Sequence, residues 1–265
     1  MSSPFTNACA PLGYVSIACV CFFSFGAFGC ATSHAVGLTA DGARIDEITL
    51  KQSNVYVIEC AHPILIDTGT AADMNDLNAA LADLGLRPYQ FGLAIVTHAH
   101  HDHAGLANQL QKGYGVPIML GAGDEEQAAR GEDDPLKPRN LTAVFLKPWL
   151  VKDFPQFTPD VVVSAPMNLR AYGVNGTVMP MPGHTPGSLV VVLPNHAAFV
   201  GDEMLGGYFG GALFPHHAGE HYYQADAEQN RRNINVLLDR GIETFYLGHG
   251  GPVRRDSVAR AFASK

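Results

Sequence analysis

Four residues in a six-residue window carry the densest chemistry of the chain. Residues 94–105 read AIVTHAHHDHAG, which places His98, His100, Asp102 and His103 close together. Imidazole offers a neutral nitrogen ligand, and a carboxylate offers a hard anionic oxygen. Three His and one Asp at this density can serve two adjacent metal ions. A loop of chance histidines rarely reaches it. The positioning elements are legible on either side. Leu93 to Val96 is a short apolar run that reads as a strand, and Leu106 to Tyr114 reads as a helix. A strand that ends in a loop and opens a helix sets side chains at fixed points above a sheet edge.

Further chemistry-bearing residues follow at separated points: Asp67 in LIDTG, His184 in PGHTPG, Asp202 in VGDEM and His249 in LGHGGP. With the His98–His103 cluster, these five motifs, spread from about Ile45 to Pro252, resemble the signature of the metallo-beta-lactamase superfamily. The resemblance implies an α/β fold, an alpha-beta-beta-alpha sandwich of two mixed sheets with helices on the outer faces. The site then lies at the edge between the sheets. It implies His98, His100 and His184 around one metal, and Asp102, His103 and His249 around a second. Asp202 is the implied bridge, and Asp67 the residue that holds the metal loop. Two zinc ions are the implied cofactors. A ligand set without sulfur also accommodates iron or manganese. His101 is the odd member of the cluster and is expected to be exposed or behind the ligands. Gly183, Thr185 and Gly187 are expected to shape the His184 loop, and Gly201 and Gly248 to let the backbone pass close to the metals.

The implied activity is hydrolytic: a metal-bound hydroxide attacks the carbonyl of an ester, lactone, thioester or amide-like ring. Asp202 resembles the bridging carboxylate of thioesterases, lactonases and phosphodiesterases more than the typical beta-lactamase branches. Lactonases of the superfamily carry Tyr three residues after that Asp, where this chain has Leu205. The alternatives are beta-lactamase activity, an iron enzyme similar to persulfide dioxygenases, and a metal-binding member without turnover. Met204 to Tyr223 is the expected specificity segment, a glycine-rich aromatic loop with Tyr208, Phe209, Phe214, His216, His217, His221, Tyr222 and Tyr223. Such a loop suits an apolar acyl group and a proton donor. The candidate catalytic residues are therefore Asp102, Asp67 and Tyr208.

The resemblance implies a small-molecule substrate, and composition agrees. The chain has 265 residues and a net charge of −8, with no basic stripe. That argues against a nucleic-acid partner. Residues 1–30 contain no Lys, Arg, Asp or Glu, and Leu12 to Ala31 is an almost unbroken apolar run. This reads as a leader or membrane anchor ahead of one domain at 31–265, with periplasmic or lipoprotein-anchored localisation expected. Gly26-Ala27-Phe28-Gly29-Cys30-Ala31 resembles a lipoprotein processing box, although Ala27 stands where Leu is usual. Four of the five cysteines lie at or before Cys30, so Cys60 alone remains in the body, where it suits a small buried hydrophobe.

The remaining pattern divides into two sheet-forming halves. Ser53 to Glu59 and Ile64 to Asp67 read as strands, Asp73 to Leu84 as a helix stopped by Gly85, and Val116 to Leu120 as another strand. Gly123 to Arg130 reads as a short acidic helix. Asn140 to Pro159 is the least regular stretch and a candidate rim or lid. Val161 to Ser164, Met167 to Tyr172, Thr177 to Met181, Leu189 to Leu193 and Ala197 to Gly201 read as strands. Asp226 to Arg240 reads as a helix, and Thr244 to Leu247 as the last strand, followed by a short tail helix.

Overall fold

The computed structural model describes residues 31–133, 137–141, 143–144 and 152–263. The expected leader at 1–30, and part of the expected rim at 140–159, lie outside the described residues. Seven strands form the first sheet in chain order: β1 (Thr32–Leu38), β2 (Arg44–Thr49), β3 (Asn54–Ile58), β4 (Ile64–Ile66), β5 (Leu93–Ile95), β6 (Ile118–Gly121) and β7 (Val161–Val163). β1 to β4 pair antiparallel through short turns. β4 to β7 pair parallel, so their crossovers carry helices. These are α1 (Met74–Asp83), α2 (His101–Ala104), α3 (Ala107–Tyr114) and α4 (Glu125–Arg130).

The second sheet holds β8 (Met167–Asn168), β9 (Thr177–Pro180), β10 (Leu189–Leu193), β11 (Ala197–Phe199), β14 (Thr244–Tyr246) and β15 (Val253–Arg254), in the spatial order β15-β14-β11-β10-β9-β8. Only β11 and β14 run parallel. A separate hairpin joins β12 (Leu205–Tyr208) to β13 (Leu213–Gly219). α5 (Ala227–Asp239) provides the crossover between β11 and β14, and α6 (Arg255–Phe262) follows β15. Asp226 caps α5 by accepting Gln229 N–H at 2.9 Å, which satisfies one of its orphan donors.

Strand periodicity sorts the core into three layers. On β3, Val55 and Val57 face the α1/α3 side, whereas Tyr56 and Ile58 face the second sheet. On β10, Leu189, Val191 and Leu193 meet the first sheet, and Val190 packs with α5 residues Ile234, Leu237 and Leu238. All of these side chains are buried. Burying each Val, Leu or Ile side chain contributes about 1.5–3 kcal/mol, which makes the period-two pattern the main determinant of the stack. The result is two mixed sheets face to face with helices on the outer faces, the sandwich implied by the motifs.

Two local expectations are revised. Met167 to Tyr172 is a strand only to Asn168. The Asn168 side chain then accepts Arg170 N–H at 2.8 Å and turns the chain into a 3-10 turn at Arg170–Tyr172. The glycine-rich 204–223 segment is not a plain loop, because most of it forms the β12/β13 hairpin. Glycine and histidine hide its two-residue alternation. A side chain at Gly206 would strike the backbone at Pro215 and Gly250–Gly251, so glycine there permits the close approach.

Candidate metal centre

β5 ends at Ile95, and the chain passes through Thr97 and His98 into α2, which opens at His101. Asp67 stands at the end of β4 with φ of 62°, a left-handed conformation uncommon for a residue with a Cβ. Its carboxylate holds it there. Oδ1 accepts Thr97 N–H at 2.7 Å, and Oδ2 lies 3.0 Å from Thr97 Oγ1 and 2.9 Å from His103 Nδ1. Thr97 Oγ1 is also 3.0 Å from His98 Nδ1. One carboxylate therefore orients His103 directly and His98 through a hydroxyl.

The other donors arrive from the second sheet. His184 lies between β9 and β10, Asp202 follows β11, and His249 follows β14. Asp124, buried at the start of α4, ties the two halves together. Its carboxylate accepts from Ala99 N–H at 2.9 Å, Thr185 Oγ1–H at 2.8 Å and Gly187 N–H at 2.7 Å. The loop bearing His98 and His100 is thereby fixed against the loop bearing His184. Asn54 and Tyr56 of β3 secure the His249 loop through the carbonyls of Leu247 and Gly250 at 2.7–3.1 Å.

Asp202 Oδ2 is the centre of the array. It lies 3.9 Å from His98 Nε2, 3.7 Å from His184 Nε2, 3.2 Å from His249 Nε2 and 3.0 Å from His221 Nε2. Asp202 Oδ1 is 3.5 Å from His103 Nε2, and Asp102 Oδ2 is 3.4 Å from His249 Nε2. His100 Nδ1 and His184 Nε2 are 3.1 Å apart. Nitrogens sharing one tetrahedral ion at ordinary zinc–nitrogen bond lengths stand about 3.3 Å apart. Two buried atoms aimed into this space, His98 Nε2 and Asp202 Oδ1, have no hydrogen-bond partner. Such an orphaned pair is costly unless a cation satisfies it. The donors form four overlapping triads able to coordinate metal: His98/His100/His184, His98/His103/Asp202, Asp102/His103/His249 and His184/Asp202/His221. The residues present fit a metal centre.

Electrostatics prepare His98, His184 and Asp202 as ligands, whereas a metal at His103 must displace a proton. Burial, aided by neighbouring imidazoles, holds His98 and His184 well below the ordinary imidazole value, so both are neutral nitrogen donors. For Asp202, burial works against ionisation, but His249, His103 and His221 overcome it and keep the carboxyl well below the usual range. Burial also opposes charge on His103, where the carboxylates of Asp202 and Asp67 prevail and raise its value.

The donors floor a cleft of about 320 Å³. Asp102, Asp202 and His249 line it with Leu205, Phe209 and Tyr222. The seven expected ligands, His98, His100, Asp102, His103, His184, Asp202 and His249, therefore converge. Asp67 does not line the cleft and touches His103 and Thr97, contacts that orient ligands. Tyr208 is 57% exposed on β12 and is absent from the cleft lining. A register shift between Gly206 and Tyr208, followed by positive φ at Phe209, instead brings Phe209 and Gly210 to the rim. Tyr208, a candidate catalytic residue from the sequence, therefore stands outside the cleft while Phe209 lines it.

His101 is buried, so of its two expected placements, exposed or behind the ligands, it takes the second. Its Nδ1 lies 2.7 Å from Asp133 Oδ2 and its Nε2 3.0 Å from Gln52 Oε1. Both ring nitrogens face protein partners and not the metal site. Sequence reasoning missed Asp124 and Asp133, which carry no motif of their own. His221 was only one histidine among several in its segment, and nothing in its spacing singled it out.

Comparison with known proteins agrees with this geometry. Residues 48–249 match the profile of the metallo-beta-lactamase superfamily. The probable metallo-hydrolase YflN of Bacillus subtilis is 25% identical over 227 residues, covering 78% of this chain and 83% of that protein. The hydroxyacylglutathione hydrolase GloC of Haemophilus influenzae is 28% identical over 172 residues, covering 63% and 74%. Among solved structures, BJP-1, a subclass B3 metallo-beta-lactamase of Bradyrhizobium japonicum, superposes with a TM-score of 0.58 at 21% identity, covering 83% of this chain and 79% of that one. That likeness is one of fold. Matched motifs, a two-sheet sandwich and clustered metal donors together carry the assignment: this chain belongs to the metallo-beta-lactamase superfamily, and its site supports that superfamily's metal-dependent hydrolase chemistry.

Proposed function

We propose that the protein is a dinuclear metal-dependent hydrolase, zinc-loaded in its working form, that cleaves the carbonyl carbon–heteroatom bond of a small ester, lactone, thioester or strained cyclic amide. The observation that carries this reading is the position of Asp202. Its Oδ2 is within 3.9 Å of imidazoles from both expected ligand sets. A pair of divalent ions supplies a water-derived nucleophile near neutral pH and polarises the carbonyl oxygen. The chain's own residues do the rest. Asp67 and Thr97 fix the imidazole tautomers, and Asp124 locks the two ligand loops together. Leu205, Phe209 and Tyr222 give the cleft an apolar wall suited to an acyl group.

The hydroxyacylglutathione hydrolase relative favours a thioester among these substrates. A β-lactam ring is the second reading, favoured by the fold shared with subclass B3 enzymes and by the open cleft. The uncharged apolar stretch before residue 31 supports export of the chain, the compartment where such antibiotics would be met. A panel of aryl esters, lactones, thioesters and a chromogenic cephalosporin, run on zinc-reconstituted protein, tests both. Turnover of an ester or thioester, abolished by a chelator and restored by zinc, is expected. Cephalosporin turnover alone would install the second reading. Zinc-loaded protein silent on every substrate would overturn the hydrolase assignment.

A further inference from the structure

His221 follows β13 and is outside the seven-residue ligand set implied by the motifs. It is 8% exposed. Its Nε2 faces Asp202 Oδ2 at 3.0 Å, the shortest approach of any imidazole to that oxygen. Its Nδ1 lies 2.9 Å from the carbonyl oxygen of Tyr223. Tyr223 N–H also lies 3.2 Å from Nδ1, but the shorter contact is to the carbonyl, which only accepts, so Nδ1 is assigned the proton. In the neutral ring Nε2 then presents a lone pair to the carboxylate. Two acceptors held 3.0 Å apart in a buried site repel unless a cation lies against both.

The same carbonyl also receives His184. His184 Nδ1 is 3.0 Å from Tyr223 O, and the two rings stand 4.6 Å apart, nearly perpendicular. One backbone oxygen thus orients two imidazoles in the same way, each with Nε2 aimed at Asp202 Oδ2. Metal-bound histidines characteristically donate the second ring N–H to a carbonyl or carboxylate. His103 has Asp67 in this role, and His249 has the Gln52 carbonyl at 2.7 Å. His101 shows the contrast, because both of its nitrogens are spent on protein partners. By this criterion His221 belongs with the ligands.

We infer that His221 is an eighth protein donor of the metal centre, binding through Nε2 on the His184 side and sharing Asp202 with that ion. The inference rests on the dinuclear reading above and extends it. Its consequence is coordination number. His98, His100, His184, His221 and Asp202 offer five protein donors where three plus water suffice for catalytic zinc. A site so furnished suits ions that accept five or six ligands, so iron and manganese compete with zinc better than at a four-coordinate site.

Cobalt(II) reconstitution of the full chain tests this, with wild type, His221→Ala and His221→Gln compared. Glutamine retains a donor for the Tyr223 carbonyl but brings no imidazole, and thermal melts of the metal-free proteins check folding. Proton NMR of the cobalt form counts hyperfine-shifted, solvent-exchangeable imidazole N–H signals. Both variants are expected to lose one such signal, to absorb more intensely per cobalt as coordination number falls, and to bind cobalt at least about tenfold more weakly. Folded variants that keep every shifted N–H signal, with unchanged spectrum and affinity, would overturn the inference and leave His221 as a hydrogen-bond partner of Asp202. Wild type that takes up no cobalt would instead overturn the metal centre itself, and His221 as a ligand with it.

Discussion

Asp67 Oδ2 lies 2.9 Å from His103 Nδ1, and the same oxygen is 3.0 Å from Thr97 Oγ1, which in turn is 3.0 Å from His98 Nδ1. A single buried carboxylate thus aligns one imidazole from each implied metal site. Asp67→Asn should weaken both ions by about 10–100-fold, the usual cost of losing a ligand's orienting partner. Competition against a chromophoric chelator measures this. Weakening of only the more loosely held ion would break the proposed link through Thr97.

Asp202→Ala should reduce the centre from two ions toward one. His98, His100 and His184 remain as a three-nitrogen site, which is sufficient for one zinc. The second ion loses the anion that offsets its repulsion from the first. Turnover of the best ester-type substrate should fall at least about 100-fold. Two metals per chain by elemental analysis, with a near-normal rate, would defeat the bridging role.

His101→Ala should keep full metal content. The ring's nitrogens are committed to Asp133 and Gln52, and its removal leaves a buried carboxylate short of one partner. A stability loss of about 1–3 kcal/mol is expected. Chemical denaturation of the apo-protein beside metal analysis of the loaded form separates the two effects. Loss of metal with unchanged stability would reverse the assignment of this histidine.

Gly248→Ala tests how closely the backbone passes the centre. A Cβ at this position would press on Asp202 Oδ1 and the His103 ring. Neither group is a flexible surface tip, since both are buried. Metal affinity should drop by more than tenfold, comparable to losing an orienting partner. Retained affinity, read by the same chelator competition, would mean that Asp202 and His103 have slack that their hydrogen bonds do not suggest.

The amino-acid sequence by itself carried the candidate ligand set and the layered architecture. Ligand chemistry is local: HxHxDH needs three imidazoles and a carboxylate on one strand-end loop, and β5 followed by α2 delivers them there. Strands β3 and β10 were equally legible as short apolar runs, because strands buried on both faces use Val, Ile and Leu at most positions. β1 and β2 were missed, since TSHAVGL is a half-polar edge strand and RIDEIT buries Asp46 and Glu47 among its apolar residues, and the β12/β13 hairpin was hidden by glycines. Only the tertiary structure decided which of the remaining polar residues matter. Asp124 reaches the centre from α4, Asp133 pins His101, and Tyr223 lends one carbonyl to two histidines. These contacts join residues far apart in the chain and depend on how the two sheets face each other. Tyr208 and His221 show the same division. Both belong to one aromatic, histidine-bearing segment, and the hairpin's register leaves the tyrosine exposed while the turn after β13 brings the histidine against Asp202.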